Sequence, residues 1–147
     1  MAISIERISL WRAEKGNTPG TLARTLAPLV GAGANFRVVM GYGFPADPSR
    51  AAIELFPVSG KRAAAAAAGV GLAASSIPSL LVQGDDRPGL GYAMTKALGE
   101  AGINLAFLVA LAVGRKQATV LGFAKEGDLK RAVPLIRKTA APPKKGR

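Results

Sequence analysis

The candidate functional residues of this chain are glycines at predicted helix starts, where a ligand could reach the backbone amides. They are not side chains paired for acid–base catalysis. The chain contains no cysteine and no histidine, which excludes Cys or His metal sites, thiol nucleophiles, disulfides and every Ser–His or Cys–His pair. It has no nucleophile elbow, P-loop or spaced carboxylate pair, and the Gly-x-Gly runs at 69–71 and 89–91 lack the acidic residue that a dinucleotide site needs about twenty positions on. We therefore expect no enzymatic activity and no cofactor.

Two Pro-Gly pairs stand where a main chain could hold a ligand. Pro19-Gly20 and Pro88-Gly89 each follow a predicted strand and begin a predicted helix. A glycine at this place lets a ligand approach the backbone closely. The free amides and the positive end of the helix then favour a carboxylate. The same glycines would also serve as ordinary turn residues, so both interpretations stay open.

The sequence repeats itself, and the two loops occupy equivalent places in the repeat. A shift of 69 positions gives six identities between residues 18–36 and 87–105. A shift of 67 then aligns residues 51–60 with 118–127. The change in spacing falls in a turn, as expected for two copies of one unit.

Each copy is predicted to be strand, helix, strand, strand, helix. The first copy is predicted to have strands at 3–11, 36–43 and 51–57. Its first helix is predicted to be capped by Thr18 and to carry an apolar stripe of Leu22, Leu26, Leu29 and Val30. A second helix is predicted after Ser59. The second is predicted to have strands at 80–83, 105–113 and 118–123, a helix at 88–101 and a last helix through Leu129 and Ile136. Because 105–113 is almost wholly apolar, we expect it to be covered on both faces. The uncharged stretch 63–84 is interpreted as a helix and a strand rather than a membrane span, since Pro78 and three serines interrupt it.

The motif Asp86-Arg87-Pro88-Gly89, followed by a helix that ends in Glu-Ala-Gly-Ile-Asn-Leu at 100–105, resembles an ACT domain. The first copy matches more loosely, and together the two resemblances cover about residues 5–137. They imply an α+β chain of two ferredoxin-like βαββαβ repeats with antiparallel sheets and helices on one face. The domains would be 1–78 and 79–138, with a basic, disordered tail at 139–147. Gly91 departs from the family, which has leucine there, as does Asn17, where the family prefers aspartate. The second copy has little sequence left after its last helix for a fourth strand, since residues 139–147 are a poor candidate, so we expect this edge to be either absent or filled by a partner chain.

The resemblance implies a regulatory protein that binds an amino acid or related effector. In this family the ligand lies where the strand-to-helix loop of one domain meets the second strand of its neighbour. Asp86 would receive an α-amino group and the glycine amides a carboxylate. The candidate ligand-binding residues are Asn17, Thr18, Gly20, Asn35, Asp86, Arg87, Gly89 and Asn104.

The net charge of +11 keeps a second function open. The ferredoxin-like topology also serves RNA-binding domains, and a basic surface gives sequence-independent affinity for nucleic acid, here including Lys144, Lys145 and Arg147. The stacking aromatics of such sheets are missing, because Phe123 stands alone on its strand. A third interpretation is a structural adaptor for a regulated enzyme. We expect a cytoplasmic homodimer with no membrane contact, and an enzyme partner is compatible with this function.

Overall fold

The computed structural model describes residues 3–141, and the chain divides into two compact units. The first unit is Ser9–Ser76, and the second joins the N-terminal residues up to Ile8 to the chain from Ile77 onward. In the described residues each unit has a four-stranded antiparallel sheet and two helices. The predicted pair of ferredoxin-like repeats is therefore confirmed.

The first strand of the chain, β1 (Ser4–Ile8), precedes the first unit. The elements of the first unit are β2 (Trp11–Gly16), α1 (Thr21–Gly31), β3 (Val38–Phe44), β4 (Asp47–Phe56), α2 (Gly60–Gly69) and β5 (Ala73–Ala74). Its strands lie in the order β3-β4-β2-β5. The core is formed by Leu29 of α1 and Ala67 of α2, which cluster with Ile53 and Leu55 of β4.

The second unit contains β6 (Ser79–Asp85), α3 (Leu90–Glu100), β7 (Leu105–Val113), β8 (Lys116–Phe123) and α4 (Glu126–Ala140). Its strands lie in the order β1-β6-β8-β7. Leu98 of α3 and Ile136 of α4 share a core cluster with Leu80, Leu121 and Phe123. Both helices therefore pack on one face of the sheet, as predicted.

The N-terminal strand completes the sheet of the second unit. The sequence predicted one strand over 3–11 within a domain at 1–78, but the structure forms two strands in two sheets. Ile8 pairs with Ser79 of β6, whereas Trp11 pairs with Leu55 of β4. β1 thus fills the edge of the second sheet that was expected to be absent or filled by a partner chain. Alternation along a strand shows which side chains share a face, but the choice of sheet depends on which open edge the strand meets.

The start of α1 also differs from the prediction. Gly20, in a left-handed conformation with φ 84°, is the N-cap, and no side chain caps the helix. Thr18 instead places its hydroxyl 2.8 Å from that of Thr21. Gly89 caps α3 in the same way with φ 81°. Residues with a Cβ rarely adopt this conformation, which explains why glycine holds both positions.

β7 has the predicted bounds but not the predicted environment. Within residues 3–141 it is an edge strand with β8 as its single neighbour, and Leu111 and Val113 are 66% and 68% exposed. The expectation that it is covered on both faces is therefore wrong, because composition does not distinguish a central strand from an apolar edge.

The last helix is longer than predicted, and the uncharged stretch 63–84 forms a helix and strands. α4 continues to Ala140, so the predicted tail begins too early at 139. Residues 142–147, with their basic side chains, lie outside the described residues. The stretch 63–84 contains most of α2, then β5 and most of β6, and no helix within 3–141 is long and apolar enough to cross a membrane.

Candidate functional site

A cavity of about 580 Å³ lies in the first unit, between the start of α1 and strands β3 and β4. Its wall is made of small, apolar and uncharged polar residues. The lining residues are Asn17, Thr18, Gly20, Thr21, Leu22, Ala23, Leu26, Gly41, Tyr42, Gly43, Ala51, Ala52 and Ile53. None of them carries a charge at neutral pH, so the cavity is suited to binding an apolar body.

Two glycines on β3 create this space. Alternate residues of a strand face the same side, and Gly41 and Gly43 both face α1 and its preceding loop. A Cβ at Gly41 would lie 3.4 Å from Leu22, and one at Gly43 would lie 3.2 Å from the Asn17 amide nitrogen. The missing side chains therefore leave the room that forms the cavity.

Hydrogen bonds fasten the loop before α1 to the β3–β4 hairpin. The Asn17 side chain donates to the Pro48 carbonyl at 3.2 Å, and the Asn17 backbone amide donates to the Ser49 carbonyl at 2.8 Å. The Thr21 hydroxyl donates to the Gly16 carbonyl at 3.1 Å. The polar end of the cavity is thus held in place before any ligand arrives.

Arg24 brings a positive charge to this polar end, and the sequence analysis did not single it out. Its guanidinium donates to the hydroxyls of Thr18 at 3.4 Å and Thr21 at 3.3 Å, and to the Pro19 carbonyl at 3.3 Å. The first turn of α1 contains no acidic residue. A cation here adds to the positive end of the helix. The available signal was a basic residue four positions after the helix-capping glycine.

None of the three acidic residues of the first unit, Glu14, Asp47 and Glu54, lines the cavity. Glu14 accepts from Arg12 at 2.9 Å, and Asp47 accepts from the backbone amide and the hydroxyl of Ser49. Glu54 is 2% exposed and accepts from the Tyr42 hydroxyl at 2.9 Å. Burial and this hydrogen bond raise the pKa of Tyr42.

The second unit has a smaller cavity at the equivalent place, about 230 Å³, between α3 and strands β7 and β8. It is lined by Asp86, Leu90, Gly91, Met94, Ala110, Leu111, Ala112, Gln117 and Thr119. Ala110 pairs with Thr119 as Gly41 pairs with Ile53. With Gly41 equivalent to Ala110, strands β4 and β8 therefore correspond at a shift of 66 positions, which makes Ile53 equivalent to Thr119. The sequence alignment used a shift of 67 positions for these strands. The methyl groups of two alanines stand where the first unit has glycines, and they narrow the space.

A buried amide distinguishes the second cavity. Gln117 is 7% exposed, and its carbonyl oxygen accepts from the Thr119 hydroxyl at 2.9 Å. Within residues 3–141 its amide nitrogen has no hydrogen-bond partner. Such an unpaired group lowers stability.

The structure brings together some of the predicted site residues. Asn17, Thr18 and Gly20 line the cavity of the first unit, and Asp86 lines that of the second. Gly89 caps α3 beside Asp86 in the chain.

Three other predicted residues lie elsewhere. Arg87 donates to the carbonyl of Thr139 in the last turn of α4. Asn35 and Asn104 are exposed beyond the C-terminal ends of α1 and α3, and they line neither cavity. Each helix separates its asparagine from the glycine at its start.

Comparison with known proteins bears on the fold. No family model matches the sequence, and no curated protein matches it significantly. A solved protein from Bacteroides thetaiotaomicron is similar over 91% of this chain and 89% of its own, with a TM-score of 0.73 and 11% identity. The ligand-free regulatory subunit of aspartate kinase from Thermus thermophilus has a TM-score of 0.65 and 13% identity, over 95% of this chain and 97% of its own.

The aspartate kinase of Clostridium acetobutylicum matches 93% of this chain with 33% of its own, at a TM-score of 0.63 and 14% identity. These likenesses show the fold. They agree with the two ferredoxin-like repeats seen in the structure.

Proposed function

We propose that this chain is a non-catalytic regulatory module that binds a small organic ligand in the cavity of the first unit. The observation that carries the proposal is the cavity itself, which Gly41 and Gly43 open beside an uncapped helix start. Its volume lies within the range of about 300–1,000 Å³ that is typical of small-molecule sites. Its uncharged wall offers hydroxyls and an amide for orientation, but no carboxylate–base pair for proton transfer.

The regulatory part of the proposal is supported by the fold. The regulatory subunit of aspartate kinase shares it over nearly the whole of both chains. We expect an amino acid or a related effector to bind, and its occupancy to be communicated through assembly or to an enzyme partner.

A thermal-shift screen of the full chain tests this function. The ligands are the twenty amino acids, the corresponding 2-oxo acids and a few purine and folate effectors at moderate salt. A ligand at a hundred times its Kd should stabilise the folded protein by about 2.7 kcal/mol. A selective rise in Tm is the expected result. A flat screen together with salt-sensitive RNA binding would contradict the proposal and favour the nucleic-acid function.

A cavity-filling variant shows where the ligand binds. Gly43→Val places a branched side chain in the space and should abolish the shift. Gly31→Val is the matched control, because a Cβ at Gly31 meets no atom within 4 Å. If Gly43→Val folds and keeps the shift, the ligand binds elsewhere.

We also propose that two copies associate through the exposed edge of β7. This strand has no charged residue and is apolar throughout, and Val109 is its central residue. Antiparallel pairing centred there would place Phe107 of each copy opposite Leu111 of the other, which suits a two-fold interface. Leu111→Lys should convert a dimer to a monomer in light scattering, because a lysine on an edge strand opposes pairing. Tyr92→Lys, at an exposed helix position, should leave the dimer intact. A monomeric parent protein would refute the idea.

A further inference from the structure

The distribution of charge around the cavity of the first unit limits which ligands it can hold. Its lining residues are uncharged, and none of the three acidic residues of the unit is among them. Glu14 and Asp47 bond to residues outside the lining, and the buried Glu54 accepts from the hydroxyl of the lining residue Tyr42. Arg24 is the charged side chain that contacts the lining hydroxyls of Thr18 and Thr21. The site therefore combines an apolar wall with a positive end, and no carboxylate lines it.

This arrangement of charge disfavours the binding of an amino acid. Its α-ammonium group would lose water on entering the cavity, and no carboxylate of the unit lines the cavity to receive it. A charge removed from water without a partner is costly. Its carboxylate, in contrast, would meet the Arg24 guanidinium, and charge-assisted hydrogen bonds of this kind are strong.

We propose that the cavity selects an apolar carboxylate that carries no α-ammonium group, such as a 2-oxo acid or a saturated carboxylic acid. The inference rests on the proposed function, since it names the ligand class of the same site. Leu22, Leu26 and Ile53 contact the hydrocarbon part of the ligand, and Arg24 binds its carboxylate.

Arg24 is free to make this contact. It is exposed, and within residues 3–141 no acidic side chain forms an ion pair with it. Its present hydrogen bonds, at 3.3–3.4 Å, go to neutral oxygens of the same loop and helix turn. Turning toward a carboxylate therefore exchanges weak bonds for charge-assisted ones.

The experiment is calorimetric titration of the full chain with matched pairs of probes. The pairs are alanine and pyruvate, leucine and 4-methyl-2-oxopentanoate, and phenylalanine and phenylpyruvate, with 4-methylpentanoate and 3-methylbutylamine as carboxylate-only and ammonium-only probes. In the pair that fits best, the oxo acid should bind at least tenfold more tightly than the amino acid. 4-Methylpentanoate should bind and 3-methylbutylamine should not.

Variants identify the residue responsible. Arg24→Gln should weaken oxo-acid binding at least tenfold, and Arg24→Lys should restore part of it. Lys61→Gln removes a charge from an exposed position of α2 and should leave the affinity unchanged. Circular dichroism and Tm of each variant show that it is folded.

The outcomes separate this inference from the proposed function. If an amino acid binds as tightly as its oxo acid, or if folded Arg24→Gln binds as well as the parent, the ligand class is wrong while the binding function stands. If no probe binds but the wider screen has a hit that Gly43→Val abolishes, the ligand class is again wrong. If neither the probes nor the screen give binding, both proposals fail.

Discussion

The N-terminal strand should control the stability of the second unit and not that of the first. β1 pairs with β6 from Ser4 to Ile8, and Ile3 and Ile5 pack against the core of the second unit. Ile8 is 4% exposed. Removing residues 3–8 would uncover the edge of β6 and withdraw three isoleucines from the fold.

The size of the effect follows from this burial. A fully buried aliphatic side chain contributes about 1.5–3 kcal/mol, and a half-buried one roughly half of that. Ile8 together with Ile3 and Ile5 then gives a loss of about 3–6 kcal/mol. A small domain has a total stability of about 5–15 kcal/mol. For a unit of this size the loss should lower Tm by at least about 12 °C.

Hydrogen exchange measured by mass spectrometry or NMR localises the loss. In the truncated protein the amides of β6 should exchange much faster, while those of β4 in the first unit keep their protection. Ser4→Ala, an exposed position in the same strand, is the control and should change neither sheet. Unchanged protection in β6 would refute the assigned role of β1, and an equal loss in both sheets would show that its effect is not confined to the second unit.

Two further predictions concern polar side chains that line the two cavities. Because burial and the hydrogen bond to Glu54 raise the pKa of Tyr42 above its ordinary 10.0, its contribution to stability is complete below that pH and is lost as the pH rises through the folded value. In a Tyr92→Phe background, absorbance titration should show ionisation above pH 10, and Glu54→Gln should lower the midpoint; ionisation at or below pH 10 would contradict the assigned contacts. Replacing Gln117 by Met together with Thr119 by Val should stabilise the protein by about 1 kcal/mol. Removing the unpaired buried amide should stabilise it by about 1–3 kcal/mol, whereas losing the hydrogen bond between the two side chains should destabilise it by about 1 kcal/mol. A lower Tm on thermal denaturation would show that the Gln117 amide is satisfied.

The loop glycines were accessible to sequence reasoning because their cause is local. Gly20 and Gly89 each adopt a positive φ at a helix start, a conformation that disfavours a side chain, so the residue type reports the backbone directly. The repeat then located both loops. The cap assigned to Thr18 was wrong, since a Pro-Gly turn moved the start of α1 beyond it.

The cavity could not be predicted in the same way. In the sequence, Gly41 and Gly43 are glycines that would weaken a strand. They form a cavity because α1 lies across them. Arg24 is one of many basic residues until its contacts with the Thr18 and Thr21 hydroxyls are known. The packing of α1 across β3 joins segments distant in the chain, which no local pattern encodes, whereas the Arg24 contacts are local and become informative once the cavity beside them is known.

The sequence by itself determined the number of repeats, the type and order of most elements, and the two loops at which helices begin. Periodicity, glycine and proline carry that information because they act within a few residues. Only the tertiary structure decided that β1 joins the second sheet, that β7 is an exposed edge, and that the larger cavity belongs to the first unit. Strand pairing and cavity volume depend on which surfaces meet after the chain folds, and residues far apart in sequence set those contacts together.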